Sequence, residues 1–171
     1  MFTVRLASVP ADLDDVRALF REYADEIRVD LHFQGFEGER AGLPGAYGPP
    51  GGRLILALAG DRAAGCVALR SLGEGTCEMK RMYVRPEFRG RGLGRSLAER
   101  ILAEAQALGY ARMRLDSIET MSAAVALYRS LGFVETAAYY HNPLAGAIYL
   151  ERALTAETDP AKPESQWEPR R

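Results

Sequence analysis

Glu78-Met79-Lys80-Arg81-Met82-Tyr83-Val84-Arg85-Pro86-Glu87-Phe88-Arg89-Gly90-Arg91-Gly92-Leu93-Gly94 joins a strand-like run to a proline-marked break and a glycine-rich turn. Beyond it Leu97, Ile101, Ala105 and Leu108 recur on one helix face until Gly109 supplies a stop. A strand feeding a glycine turn that opens a helix suits an anion. Gly90, Gly92 and Gly94 leave backbone N–H groups free to approach phosphate oxygens, and the helix start adds partial positive charge. Arg89, Arg91 and Arg95 supply formal charge. Taken alone, the pattern also describes an ordinary turn beside a solvated arginine face. Two familiar phosphate sites are excluded: the chain has no G-x-G-x-x-G after a first strand and no Gly-Lys followed by Ser or Thr.

Working outward, Arg53 to Ala59, Ala63 to Leu72 and Thr76 to Val84 read as three strands, separated by Gly60-Asp61 and Gly73-Glu74-Gly75. That is an antiparallel meander. Before it, Phe2 to Leu6 alternates like a short strand, and Leu13, Val16, Phe20, Tyr23 and Ile27 take helical spacings. From Asp30 to Gly52 glycines and prolines break the pattern into a short helix and a long ordered loop able to wall a pocket. After the glycine turn, Arg112 to Leu115 reads as a strand. Ala124, Leu127, Tyr128 and Leu131 mark a helix ended by Gly132, and two strands follow around Phe133 to Tyr140 and Ala147 to Ala153. The reading is a single α/β domain over residues 1–154. Residues 155–171 carry three prolines and seven charges without apolar periodicity, so they form a tail, with Trp167 available to dock.

With 22 Lys and Arg against 23 Asp and Glu, the net charge of −1 draws the protein to neither nucleic acid nor an acidic membrane. No apolar run approaches the roughly 18 residues of a spanning helix, and the first residues resemble no signal segment, so the cytoplasm is the expected location. Cys66 and Cys77 are too few for a disulfide framework and have no histidine nearby in sequence to activate a nucleophile. His32 and His141 lie far apart and no cluster has metal-ligand spacing, so no metal is expected.

Arg89-x-x-Gly92-x-Gly94, after a strand ending Tyr83-Val84-Arg85-Pro86, resembles the acetyl-CoA pyrophosphate motif of the GNAT superfamily of N-acetyltransferases. Ala124-x-x-Leu127-Tyr128-x-x-x-Gly132-Phe133 is similar to the family's later helix and the strand after it. Asp30-Leu31-x-Phe33-Gln34-x-Phe36-Glu37, Leu43-Pro44-Gly45-x-Tyr47 and Tyr139-Tyr140-x-Asn142-Pro143 resemble a subgroup of small bacterial members. The resemblance covers about residues 2 to 154. It implies a mixed, mostly antiparallel sheet flanked by helices, with acetyl-CoA as cosubstrate and the pantetheine arm lying between two splayed strands. By that match Met82, Tyr83 and Val84 offer main-chain groups to the arm, an N–H near Met82 polarises the thioester carbonyl, and Arg89 through Arg95, Leu93 included, surround the pyrophosphate. The chain departs from the pattern at Met121, where many members carry an asparagine, and no cofactor contact is assigned there.

The attacking amine must be neutral, although an alkylammonium has a pKa around 10, so a base or a water relay is needed. Glu78 is the candidate: it lies an even number of residues before Val84, which puts both on one face of an unbulged strand, and some family members use a glutamate there. An ordinary, exposed strand glutamate paired with Lys80 or an arginine is the alternative. The resemblance gives Tyr128 the task of protonating the CoA thiolate; spacing alone also suits a core tyrosine. Asp30, Gln34 and Glu37 would share a face if helical and could receive an ammonium, with Tyr139 and Asn142 also near the acceptor. The expected partner is a small-molecule amine. A peptide N-terminus, a catalytically silent CoA-binding sensor and a homodimer stay open.

Overall fold

The computed structural model describes residues 1–28 and 30–154; the expected tail and its Trp167 lie outside the described residues. Seven strands form one sheet: β1 (Phe2–Leu6), β2 (Arg53–Ala59), β3 (Arg62–Gly73), β4 (Thr76–Val84), β5 (Arg112–Ile118), β6 (Val134–Glu135) and β7 (Ala147–Ala153). Their order is β1-β2-β3-β4-β5-β7-β6, and only β4 and β5 run parallel. The helices are α1 (Leu13–Ile27), α2 (Phe36–Ala41), α3 (Leu93–Ala107) and α4 (Ser122–Ser130).

Alternation along the strands divides the core in two. One face packs Val67, Leu69, Met79 and Met113 against Leu97 and Ile101 of α3 and Tyr128 of α4. The other packs Leu56, Cys66, Ala68 and Tyr83 against Val16, Leu19 and Phe20 of α1 and Phe36 of α2. The α1 stripe is the one its spacing predicts, and Asp14 and Asp15 in its first turn suit the positive end of the helix. Asp12, just before α1, spends its carboxylate on Arg5 at 2.6 Å and on the Ser8 N–H, tying the helix start to β1.

Two strand features differ from the sequence reading. First, β4 is bulged: Cys66 faces Tyr83 and Ala68 faces Lys80, so Val67 alone opposes both Arg81 and Met82. Arg81 takes the left-handed conformation, φ 58°, rare for a side chain of that size. The extra residue reverses the alternation. Lys80, Arg81 and Tyr83 face the α1 side, while Met82 and Val84 turn to α3. Glu78 and Val84 therefore do not share a face, which corrects the unbulged expectation. Second, the strand expected over residues 133–140 is only Val134–Glu135; the chain then leaves the sheet as an irregular segment that crosses back over it.

Gly65 makes close packing possible at this level: a Cβ there would lie 2.6 Å from the Tyr83 carbonyl oxygen and 3.2 Å from Leu97 Cδ1. Gly65→Ala should therefore lower stability by about 1–3 kcal/mol through forced separation of β3, β4 and α3. Gly38→Ala, in α2 with nothing within 4 Å of the new methyl, should instead be neutral or gain up to about 1 kcal/mol. Chemical denaturation of both variants checks the pair; equal effects would contradict the packing.

Candidate active site

The site is created by a fork. β4 pairs with β5 at Thr76, Cys77 and Glu78 only, opposite Arg112, Met113 and Arg114, and then the strands part. A cleft of about 530 Å³ opens beyond the fork, floored by Met82 and Val84 and walled by Gly90, Gly92 and Gly94 on one side and Met121, Ala124 and Leu127 on the other. Gly90 and Gly92 sit at φ 73° and 79°, and a Cβ at either would meet nothing within 4 Å because it would project into open space. The first bond of α3 is from Ser96 N–H to the Gly92 carbonyl, leaving the N–H groups before it available to a ligand. Open space and N–H donors without a partner among the described residues, at a helix start, fit a phosphate group.

The arginines of the turn are already engaged. Arg89 donates to the Val84 carbonyl at 2.8 Å and to Glu26 at 2.6 Å, and its hydrogen bond holds the Glu26 carboxyl below the usual range. Arg91 lies over the Phe2 ring at 4.6 Å, and Arg95 reaches Ser130 Oγ at 2.8 Å. Of the three, only Arg89 lines the cleft. Helical phase carries Arg95 toward α4, which spacing along the chain does not reveal.

At the apex of the fork Glu78 is completely buried, with both oxygens satisfied: Oε1 accepts from Arg70 Nε at 2.7 Å and Oε2 from the Tyr139 hydroxyl at 2.6 Å. The ordinary-glutamate alternative supposed an exposed side chain, so this burial corrects it while keeping the arginine. Lys80 and Asp116 face each other across the opening at 3.6 Å, with the Lys80 ammonium also donating to Gln34 Oε1 at 3.1 Å. Burial pulls the Lys80 ammonium below the usual lysine range against the attraction of Glu78 and Asp116. Tyr140 donates to Asp116 at 2.7 Å and Asn142 approaches both. Thus neighbouring tyrosines latch one segment to both arms of the fork. Burial first, and then the adjacent carboxylate, pushes both tyrosine hydroxyls up, so they remain donors.

Arg81 fixes the bulge. Its guanidinium donates to Glu39 at 2.9 and 3.2 Å and to Gln34 at 2.8 Å, and lies over the Phe36 ring at 5.2 Å. Gln34, Tyr139 and Asn142 all lie at the polar cluster around Lys80, Arg81, Glu78 and Asp116. Asp30 does not: it is exposed, and its carboxylate accepts from the His32 N–H at 2.8 Å, because the chain there turns instead of continuing a helix to Glu37. Tyr128 walls a small space between β4 and β5 with Met82, Lys80 and Asp116, and its hydroxyl has no hydrogen-bond partner among the described residues. Burial, followed by Tyr23 and Asp116, pushes that hydroxyl up. The sequence reading gave no site role to Tyr23, Arg70, Asp116 or Tyr140 and named Lys80 only as a partner for Glu78; Asp116 follows Arg112 and Arg114 at the alternating positions of β5, so the local pattern did not mark it.

Both cysteines are buried free thiols, and burial pushes Cys77 up to about 12, so neither is a thiolate near neutrality. Among the described residues no group of His, Cys, Asp and Glu is placed to hold a metal, and no helix is long and apolar enough to cross a membrane.

Residues 13–133, spanning the fork and both helices beside it, match the Acetyltransferase (GNAT) family. The chain belongs to that family. An uncharacterized N-acetyltransferase of Schizosaccharomyces pombe is 44% identical to this GNAT protein over 155 residues, covering 90% of this chain and 95% of the relative. A GNAT acetyltransferase of Staphylococcus aureus superposes with a TM-score of 0.76 at 16% identity, covering 91% of this chain and all of that one. The PaiA N-acetyltransferase of Thermoplasma acidophilum, solved with coenzyme A, gives 0.70 at 16%, covering 90% and 99%. These structures share the fold. The GNAT assignment makes this protein an acetyl-CoA-dependent N-acetyltransferase, and the mixed, mostly antiparallel sheet flanked by helices agrees with the architecture the resemblance implied.

The double latch has a measurable consequence. Tyr140→Phe should cost about 1–3 kcal/mol, the range for depriving a partly buried carboxylate of a donor. Urea denaturation checks this; unchanged stability would mean that the segment does not hold the fork.

Proposed function

We propose that this acetyltransferase acetylates the amine of a small molecule by direct attack within a ternary complex, without a covalent acyl-enzyme. The observation that carries the reading is the fork, which opens onto a phosphate-compatible turn at one end and a buried polar cluster at the other. Acetyl-CoA supplies the activated acetyl group. Main-chain groups of Met82, Tyr83 and Val84 hold the pantetheine arm along the β4 edge that β5 leaves bare. The bulge at Arg81 turns the backbone near Met82 toward the thioester carbonyl, where an N–H stabilises the developing oxyanion. The pyrophosphate is taken by N–H groups from Gly90 through Gly94 and by Arg89.

Glu78 is completely buried behind Tyr139, with Arg70 and Tyr139 already donating to its two oxygens, so the acceptor nitrogen meets Tyr139 and not Glu78 directly. The proton instead passes from the amine nitrogen to the Tyr139 oxygen as the Tyr139 proton moves to Glu78 Oε2, so Glu78 is the base through a relay. As the C–S bond breaks, Tyr128 donates to the thiolate. Its raised pKa keeps it protonated in the resting enzyme, and a thiolate desolvated in the same space is raised as well, which favours the transfer. Gln34 and Asn142 orient the acceptor. Asp30 has no part in this arrangement.

Acetyl-CoA-dependent thiol release across amino acids, polyamines, aminoglycosides and peptides tests the reading. Acetyl-CoA should raise the melting temperature of the parent protein, and Gly92→Glu, which fills the turn with a side chain and a negative charge, should remove that rise; an equal rise in both would refute the phosphate turn. Glu78→Gln and Tyr139→Phe should each lower kcat/KM at neutral pH by roughly 10²-fold, the scale of general-base catalysis. Both losses should shrink between about pH 8 and 10 as the free amine deprotonates. Profiles parallel to the parent's would remove the relay.

A further inference from the structure

Arg70 has binding capacity that the fold leaves unspent. Its Nε donates to Glu78, and its guanidinium makes no other hydrogen bond among the described residues. The side chain is 39% exposed and lines a cavity of about 220 Å³ whose other walls include Gln34, Glu39, Ala46 and Tyr47. The acceptors around this cavity are occupied. Glu39 receives Arg81 at 2.9 Å and Tyr47 at 2.7 Å, and Gln34 Oε1 receives Lys80 at 3.1 Å and Arg81 at 2.8 Å. Glu78 is neutralised by Arg70 Nε itself and hydrogen-bonded by Tyr139. What remains uncommitted is a fork of N–H donors on a permanent cation, whose natural complement is a planar anion accepting two parallel hydrogen bonds.

Gln34 also walls the small space that holds Met82 and Tyr128, so this cavity and the proposed reaction site share a side chain. Arg70 lies opposite Glu78, and Met82 lies four residues farther along β4. At about 3.3 Å per residue, shortened by the bulge, the two backbone positions on β4 lie on the order of 10 Å apart. In the proposed relay the attacking nitrogen lies against the Tyr139 oxygen, 2.6 Å from Glu78 Oε2, while Arg70 holds Oε1 of the same carboxylate at 2.7 Å, so an acceptor held by Arg70 has its amine directed past Glu78 toward Met82.

We propose that the acceptor carries, besides the amine that is acetylated, a carboxylate held by Arg70, as in amino acids and ω-amino carboxylates. The inference rests on the acetylation reading and goes beyond it in naming the acceptor's second charged group. It also makes Arg70 a specificity-determining residue as well as the partner of Glu78.

The test compares glycine, 4-aminobutyrate, 6-aminohexanoate and lysine with the carboxamide of each, by thiol release at fixed acetyl-CoA. The parent should prefer at least one of these carboxylates over its matching carboxamide by roughly 10- to 100-fold in kcat/KM, the value of a charge-assisted pair. Arg70→Gln should collapse the ratio to near one, and Arg70→Lys, which keeps a charge beside Glu78 without the fork, should retain part of it. Because Arg70 also supports Glu78, both variants are judged by the ratio, in which a general loss of activity cancels. Equal rates for carboxylates and carboxamides in the parent, or a ratio unchanged in Arg70→Gln, would overturn the anionic acceptor while leaving acetylation standing. If no amine of any kind released thiol, both readings would fall.

Discussion

Everything around the fork depends on one buried carboxylate. Glu78 sits at the last position where β4 and β5 are paired, with no exposure to solvent. Burying an unpaired carboxylate costs so much that the group must be both charge-compensated and hydrogen-bonded. Arg70 supplies the charge from the neighbouring strand and Tyr139 supplies the second donor from a segment more than sixty residues downstream. The second contact explains why the chain between β6 and β7 does not continue as sheet. Its tyrosines are required over the fork, and a regular strand at the edge would hold them beyond reach.

The bulge complements this arrangement. A two-residue alternation continued through Arg81 would direct that side chain at α3 and place Met82 on the polar side. The additional residue keeps Lys80, Arg81 and Tyr83 together on the α1 face and returns Met82 and Val84 to the α3 face. A left-handed arginine is strained by something like 1–3 kcal/mol, a cost offset by its paired hydrogen bonds to Glu39, its contact with Gln34 and the rings of Tyr23 and Phe36. The irregular stretch between α1 and β2, which carries Gln34 and Glu39, is therefore needed to hold a distortion in the sheet.

These dependencies separate what could be read from the sequence from what could not. The meander, α3 and the glycine turn came through because each is written in local periodicity and in residues with special backbone freedom. α4 was found by the same means. The bulge was invisible because its left-handed residue is an arginine and not a glycine, and the parity argument from Glu78 to Val84 failed with it. Asp30, Gln34 and Glu37 were grouped by helical spacing in a stretch that turns at Gly35, so Gln34 reaches the polar cluster while Asp30 stays at the surface. Arg70 and Asp116 are ordinary strand residues until β3, β4 and β5 are laid side by side. Their roles arise from register, which one sequence does not display.

The latch also couples stability to access. Tyr139 binds the β4 arm through Glu78 and Tyr140 binds the β5 arm through Asp116, while Lys80 lies 3.9 Å from one carboxylate and 3.6 Å from the other. The space between the arms is only about 40 Å³, enough for water but not for a substituted amine. An acceptor that reaches Met82 from this side must displace at least one tyrosine or draw Lys80 aside, leaving a carboxylate short of a partner. A ligand bearing its own ammonium can replace the lost positive charge or donor at that carboxylate, whereas a neutral molecule of the same shape leaves it unsatisfied. On the proposed reading the cluster would favour a protonated amine at the entrance, and passing that proton to the Tyr139–Glu78 pair would restore the compensation that the closed fork requires.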